Sequence, residues 1–275
     1  MGLNKRPSIV LEVLLFIAAL CFLFPVFFLV EMSFKEPRYF FKPYELPHSL
    51  YLDYYKSAFT DMAFFRGLSN TLLVTAGALG LTILVASMAG YVLSRRPEKL
   101  FRFAYLFFLS GMVIPTMGSL IPLFTMAVDI HLMNTHTLLV LIYTAGFIPF
   151  ASFLYAAFTK SIPRELEESA SLDGCGPFRL YWRIIFPLLL PATGTFIVTN
   201  VYGVWNDFLT PLIFLNQPEK MTLMPQIVQF MFNKQSVNYG PVFAVSVLAV
   251  LPLVVLFAFT QKYMLRGLTA GAVKG

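Results

Sequence analysis

In a chain this apolar the carboxylates stand out, and three of them fall within four positions: Glu165, Glu167 and Glu168. They open the stretch from Pro163 to Pro191, the longest polar interruption in the C-terminal half that also carries helix signals. Proline tolerates a helix first turn, where its missing N–H costs little. Acids just after it meet the positive end of the helix dipole. Leu166, Ala170 and Leu172 supply a short apolar face, and Gly174, after Asp173, offers the left-handed residue that ends many helices. Pro177 starts a second helical piece, in which Phe178, Tyr181 and Ile185 recur at 3- and 4-residue spacing. The pattern predicts a helix–turn–helix lying on a surface and not crossing a membrane. No catalytic arrangement accompanies it: there is no Walker A phosphate loop, no H-E-x-x-H and no G-x-S-x-G.

A second polar constellation interrupts an apolar run. Thr193, Thr195, Thr199, Asn200, Tyr202, Trp205, Asn206, Asp207 and Thr210 punctuate residues 188–215. Amides and carboxylates do not face lipid tails without large cost, so one face of this segment must meet protein or water. Thr199, Tyr202 (or Gly203) and Asn206 share a helical face, with Trp205 and Asp207 near its outer end. These residues either line a path or bond helices to one another. Metal chemistry has little to stand on. His48, His131 and His136 form no i,i+4 ligand pair, and Cys21 and Cys175 fall at different membrane levels.

Composition says what these groups border. The chain is 58% apolar and 12% charged, with a mean hydropathy of +0.74, far from an ordinary water-soluble domain. A bilayer core about 30 Å thick needs roughly 20 apolar residues per helix. Six segments meet that need: about 9–30, 68–93, 101–128, 137–158, 188–215 and 241–264, with residues 160–187 as a loop and 1–275 as one membrane domain. With the N-terminus inside, the inner segments carry Lys5, Arg6, Arg95, Arg96, Lys99, Arg102, Lys160, Arg164, Arg179, Arg183, Lys262, Arg266 and Lys274. That is 13 of the 20 Lys and Arg, so both termini and the 160–187 loop are expected in the cytoplasm. The net charge of +6 then needs no nucleic acid to explain it, and no basic–aromatic module appears.

The remaining stretches fit this scheme. Residues 1–30 resemble a signal peptide, but the apolar run is too long and lacks a small-residue cleavage site, which points to a retained anchor. Glu12, near its inner end, either reaches the interface or pairs with a neighbour. The outer connection 31–67, rich in Pro, Tyr and Phe, suits an aromatic belt or the docking of an external protein. Gly77, Gly80, Ala86 and Gly90 let the second helix approach its neighbours closely. Gly111, Pro115, Gly118 and Pro122 predict a kink in the third. Loop 216–240 is polar and nearly neutral, either a docking loop or a solvated connector.

Glu168-Ser-Ala-Ser-Leu-Asp173-Gly174, nine residues, then Ile184-Ile-Phe-Pro187, resembles the E-A-A-x3-G-x9-I-x-L-P signature of ABC importer membrane subunits. Ser169 replaces the first Ala and Phe186 the Leu, both mild departures that keep the Glu, Gly and Pro. Asn70-Thr-Leu-Leu-Val, Trp205-Asn-Asp-Phe-Leu and the terminal Arg266-Gly-Leu-Thr-Ala-Gly-Ala-Val-Lys-Gly275 extend the likeness over nearly the whole chain. Together they look like the carbohydrate-uptake permeases, specifically the six-helix partner of the maltose-type heterodimer.

The resemblance implies an all-α integral membrane protein of the bacterial inner membrane, with the type I ABC importer permease fold. A second homologous permease, two ATPase subunits and an extracytoplasmic sugar-binding protein would complete the assembly. Arg164–Leu172 would be the coupling helix, with Arg164, Glu165, Glu168, Ser169, Ala170, Leu172, Asp173 and Gly174 at the ATPase. Arg266, Gly267, Leu268 and Thr269 would reach between the ATPases. ATP and Mg would bind there, and this chain would hold no cofactor. The substrate expected is a di- or oligosaccharide. Glycerol phosphate or its diesters remain an alternative, and an ion-coupled secondary transporter a more distant one, since Glu12 and Asp207 are its only intramembrane carboxylate candidates.

Overall fold

The structure is a computed structural model. It describes residues 9–40, 42, 45–114, 116–233 and 239–272, with Thr116, Asn233 and 260–272 in backbone alone. Among the described residues there is no strand. The long helices are α1 (Ile9–Phe34), α3 (Phe64–Arg95), α6 (His136–Lys160) and α12 (Tyr239–Ala272). Between them lie α2 (Asp53–Thr60), α4 (Lys99–Ser110), α5 (Thr116–Asp129), α7 (Glu165–Leu172), α8 (Pro177–Leu188), α9 (Leu190–Trp205), α10 (Leu209–Phe214) and α11 (Leu223–Asn233).

Among the described residues, four helices are long and apolar enough to cross a membrane, and the number rises to six if each of two bent pairs is one span. The four unbroken ones match the first, second, fourth and sixth expected segments. The third and fifth depart from expectation. The third, expected to run through 101–128 with a kink, is broken into α4 and α5. A 3-10 turn at Gly111–Val113 ends α4, and Ile114 is extended at φ −74° and ψ 118°. That is the conformation a residue before proline is pushed into, and Pro115 follows. The fifth, expected as one run through 188–215, is α8 and α9 meeting at 64°, with α10 set apart. Leu189, fully buried, turns the corner between Pro187 and Pro191, each of which lacks the N–H that a continuous helix would use.

The chain divides into two compact units. The first holds residues up to Phe65 and Ile227–Pro252. There Lys35 is fully buried, paired with Glu31 at 2.7 Å, and donates a second hydrogen bond to the Lys42 carbonyl at 2.9 Å. Phe243 packs against Phe28 and Phe40 in the same unit. The outer surface of α1 is almost wholly exposed apolar side chain, from Ile9 to Phe27, which is what a helix facing lipid presents.

The second unit, Arg66–Gln226 with the end of the chain from Leu253, contains both polar constellations. One core joins α3, α6, α7, α8 and α9 through Ala86, Tyr155, Ala170, Tyr181, Ile185, Leu189 and Phe196. Gly90 makes the α3–α6 approach possible: a Cβ there would stand 2.7 Å from the Tyr155 side chain and 2.9 Å from the Ala156 backbone. Hydroxyl pairs bridge the same layer, Tyr155 to Thr193 at 2.9 Å and Tyr181 to Ser87 at 2.6 Å.

Candidate functional site

The short helix α7 begins one residue after Arg164 and two after Pro163, so the proline stands just ahead of the first turn and not inside it. Arg164 caps through its backbone carbonyl, which accepts from the Glu167 and Glu168 amides at 2.9 and 3.0 Å. All three glutamates occupy the first turn, where the exposed N–H groups favour negative charge. At the other end Gly174 takes φ +79°, its amide reaches the Ser171 carbonyl at 3.1 Å, and the Cys175 amide reaches Ala170 at 3.0 Å. This pair of bonds, with a left-handed glycine between, is the Schellman termination.

Among the described residues, one face of α7 is tied to the rest of the protein. Ala170, expected at a docking surface, is instead buried in the core, and Ile162 joins it just ahead of the helix. One turn from Ala170 on that same face is Glu167. Arg95, at the end of α3, lies 2.6 Å from Glu167 Oε1 and donates to the Ile162 carbonyl at 2.8 Å. Tyr91, one turn earlier on α3, donates to Glu167 Oε2 at 2.8 Å. Both partners of the ion pair are mostly buried, so water screens it little. On the opposite face Glu165, Glu168, Ser169 and Asp173 are exposed, and among the described residues the three acids there have no side-chain partner. Leu172 is 89% exposed, and Leu166 is exposed beside them, so the apolar face expected of this helix points mainly outward. The second helical piece starts at Pro177 as expected; Tyr181 and Ile185 are buried while Phe178 is exposed.

The polar span is sorted by the same criterion. Thr199, Tyr202, Gly203 and Asn206 form an exposed stripe along α9. Trp205 is buried, and Asp207 is half-buried and occupied. The Asp207 carboxylate accepts from the Thr210 amide at 3.1 Å and from the Tyr143 hydroxyl at 3.0 Å, which caps α10 and binds it to α6. Arg266, Gly267, Leu268 and Thr269 lie on the last turns of α12, where the side chains are outside the described ones.

At the far end of this unit, residues 216–222 are held closely. Asn134, at φ +59°, accepts on its side-chain oxygen from the Asn216 and Gln217 amides, both at 3.2 Å. Its carbonyl receives Lys220 Nζ at 2.9 Å. Asn70 donates to the Glu219 and Met221 carbonyls, each at 2.9 Å, and the Thr71 hydroxyl accepts from the Leu223 amide at 2.8 Å. His136 meets the Lys220 carbonyl at 2.8 Å. Sequence reasoning missed Glu167, Arg95 and Asn134. The i,i+3 spacing of Glu167 and Ala170 was the one available signal; nothing local marks Asn134.

Residues 78–269 match the family model described as the binding-protein-dependent transport system inner membrane component. The chain belongs to that family. It is therefore a multi-pass membrane permease subunit of a binding-protein-dependent transport system. The melibiose/raffinose/stachyose import permease protein MelC of Bacillus subtilis is 34% identical over 97% of this chain and 96% of its own length. The arabinooligosaccharides transport system permease protein AraQ of the same organism is 32% identical over 97% of this chain and 96% of its own. In fold, the permease is similar to a crystal structure of a bacterial ABC transporter involved in the import of the acidic polysaccharide alginate. The TM-score is 0.83 at 22% identity, over 96% of this chain and all of that one.

Proposed function

We propose that this chain is a permease subunit of an ATP-driven importer of neutral di- or oligosaccharides. It forms the path with a second homologous permease and couples to two separate ATPase subunits through α7. The observation that carries the coupling role is the division of α7 into a fastened face and a bare one. A helix whose Leu172 and three acids, unpartnered among the described residues, face outward, while Glu167 and Ala170 hold it to the bundle, is built to be covered by something else. Arg164, Glu165, Glu168, Ser169, Leu172 and Asp173 supply the contacts, and Gly174 turns the chain back. Arg266–Thr269 add a second contact from the tail. ATP and Mg reside in the ATPases. Movement of the ATPases then passes through Glu167 to the end of α3, provided the docked helix interacts differently with their two states.

For the cargo, support comes from relatives whose names specify oligosaccharide import and from the character of the α9 stripe. Thr199, Tyr202 and Asn206 offer hydroxyl, aromatic and amide groups, and α9 carries no Lys or Arg that would favour an anionic phosphate ester. The termini and α7 lie in the cytoplasm of a bacterial cell, with an external binding protein delivering sugar on the other side. The test is ATP-dependent oligosaccharide uptake into vesicles containing the whole assembly, with Glu168→Ala and Gly174→Pro beside the unaltered chain. Loss of uptake in both, with the permease pair intact, supports the reading. Normal transport by both would make α7 a connector only.

A further inference from the structure

A cavity of about 340 Å³ opens at the α7 end of the second unit, where α3 stops, α4 starts and α6 stops. Its polar wall holds three cations, Arg96, Arg102 and Lys160, which the coupling role does not use. Among the described residues, Arg102 and Lys160 have no ion-pair partner, and Arg96 has only Glu98 at a long 3.5 Å. Lys160 Nζ stands 5.8 Å from the centroid of the Tyr105 ring, which is a weak substitute for an anion. Three like charges gathered on three helix ends repel unless something negative joins them.

The remaining wall is apolar. Leu93, Leu106 and Ala156 line it, and Leu106 continues onto a surface of α4 where Phe103 and Phe107 are exposed. Charge below and hydrocarbon above, at the boundary of the membrane-spanning helices, is the layout of a headgroup site and not of a site for a free ion. We propose that this cavity binds one anionic phospholipid, its phosphate among Arg96, Arg102 and Lys160 and an acyl chain along α4. Basic pockets between transmembrane helices recognise anionic headgroups in this manner. The bound lipid joins α4 to the end of α6, five residues before α7 begins, and so steadies the root of that helix. The proposal needs the chain to be membrane-spanning, but it does not need α7 to dock an ATPase.

Native mass spectrometry of the purified assembly, titrated with phosphatidylglycerol or with phosphatidylcholine, reads this directly. One phosphatidylglycerol should be retained in preference to phosphatidylcholine. Each basic side chain near an anionic headgroup is worth about fivefold, so Arg102→Gln with Lys160→Gln should weaken retention by about thirtyfold. The charge-keeping pair Arg102→Lys with Lys160→Arg should hold it. If the double variant does not assemble, Lys160→Gln alone should show about fivefold loss. Equal retention of the two lipids, or no loss in the charge-removing variants, overturns the proposal. Displacement of phosphatidylglycerol by millimolar inorganic phosphate overturns it too, because the site would then be one for small anions.

Discussion

The two ends of the Arg66–Gln226 unit are fastened by different chemistry. At one end, among the described residues, the one side chain of α7 that hydrogen-bonds to another element is the Glu167 carboxylate, which receives Arg95 and Tyr91, beside buried Ala170. At the other, residues 216–223 are held by four residues from outside that segment, Asn70, Thr71, Asn134 and His136, mostly through neutral bonds to its backbone. A single charged anchor fixes one face of a helix and leaves the other bare. A net of hydrogen bonds to backbone fixes most residues of a loop. The first arrangement suits an element that must be gripped by a partner and pull on the bundle. The second suits an element that must keep its shape.

The largest difference should appear on cutting the charged anchor. Glu167→Ala strands the Arg95 charge in a largely buried place, which costs about 2–4 kcal/mol in the unfolding free energy of the purified chain. The companion variant with Arg95→Met and Glu167→Met should recover most of that stability without recovering transport. Recovery of both would mean that the pair serves packing alone. Next comes the neutral net. Asn134→Ala removes two accepted bonds and the side chain best suited to φ +59°, for about 1–2 kcal/mol by the same unfolding measurement. Uptake per folded assembly should hardly change; a loss as deep as that of Glu167→Ala would erase the contrast.

Smaller still is Gly174→Ala, where a Cβ meets open space and only the φ of +79° is strained. About 1 kcal/mol of stability is the expected loss, with coupling retained. The least effect is expected in the other unit, at half-buried Glu36. Hydrogen bonds from Ser49 and then Arg38 hold its carboxyl below the ordinary carboxylate value. A lowered value in the folded state means that this contribution is complete above the ordinary range and is lost as pH falls through the lowered one. Hydrogen exchange at residues 49–52 should therefore quicken below the ordinary carboxylate range, and Glu36→Gln should remove that dependence.

Much of this was legible in the chain itself. The ends of α7 follow from first-turn acids and Gly174, because capping is local chemistry. Four spans follow from unbroken apolar length. The breaks in the other two were harder: Pro115 reads equally as a kink, and the corner at Leu189 needs two flanking prolines and a buried site to receive the side chain. Which glutamate turns inward was not legible, since it depends on where Arg95 arrives, 72 residues earlier in the chain. Asn134 was hidden for the same reason, its partners lying 82 and 83 residues away. For Asp207 the chain alone left path lining and helix bonding equally open, because its partners Tyr143 and Thr210 come together only in the fold.

One measurement bears most directly on the division of α7 into two faces. It is the recovery of ATPase subunits with the purified permease pair, taken together with sugar-stimulated ATP hydrolysis. Two variants are compared: Glu168→Ala with Leu172→Ala on the bare face, and Glu167→Gln on the fastened face. The account predicts that the first loses the ATPases, while the second keeps them attached but no longer stimulated. ATPases that stay with the bare-face variant and remain stimulated in both would contradict it.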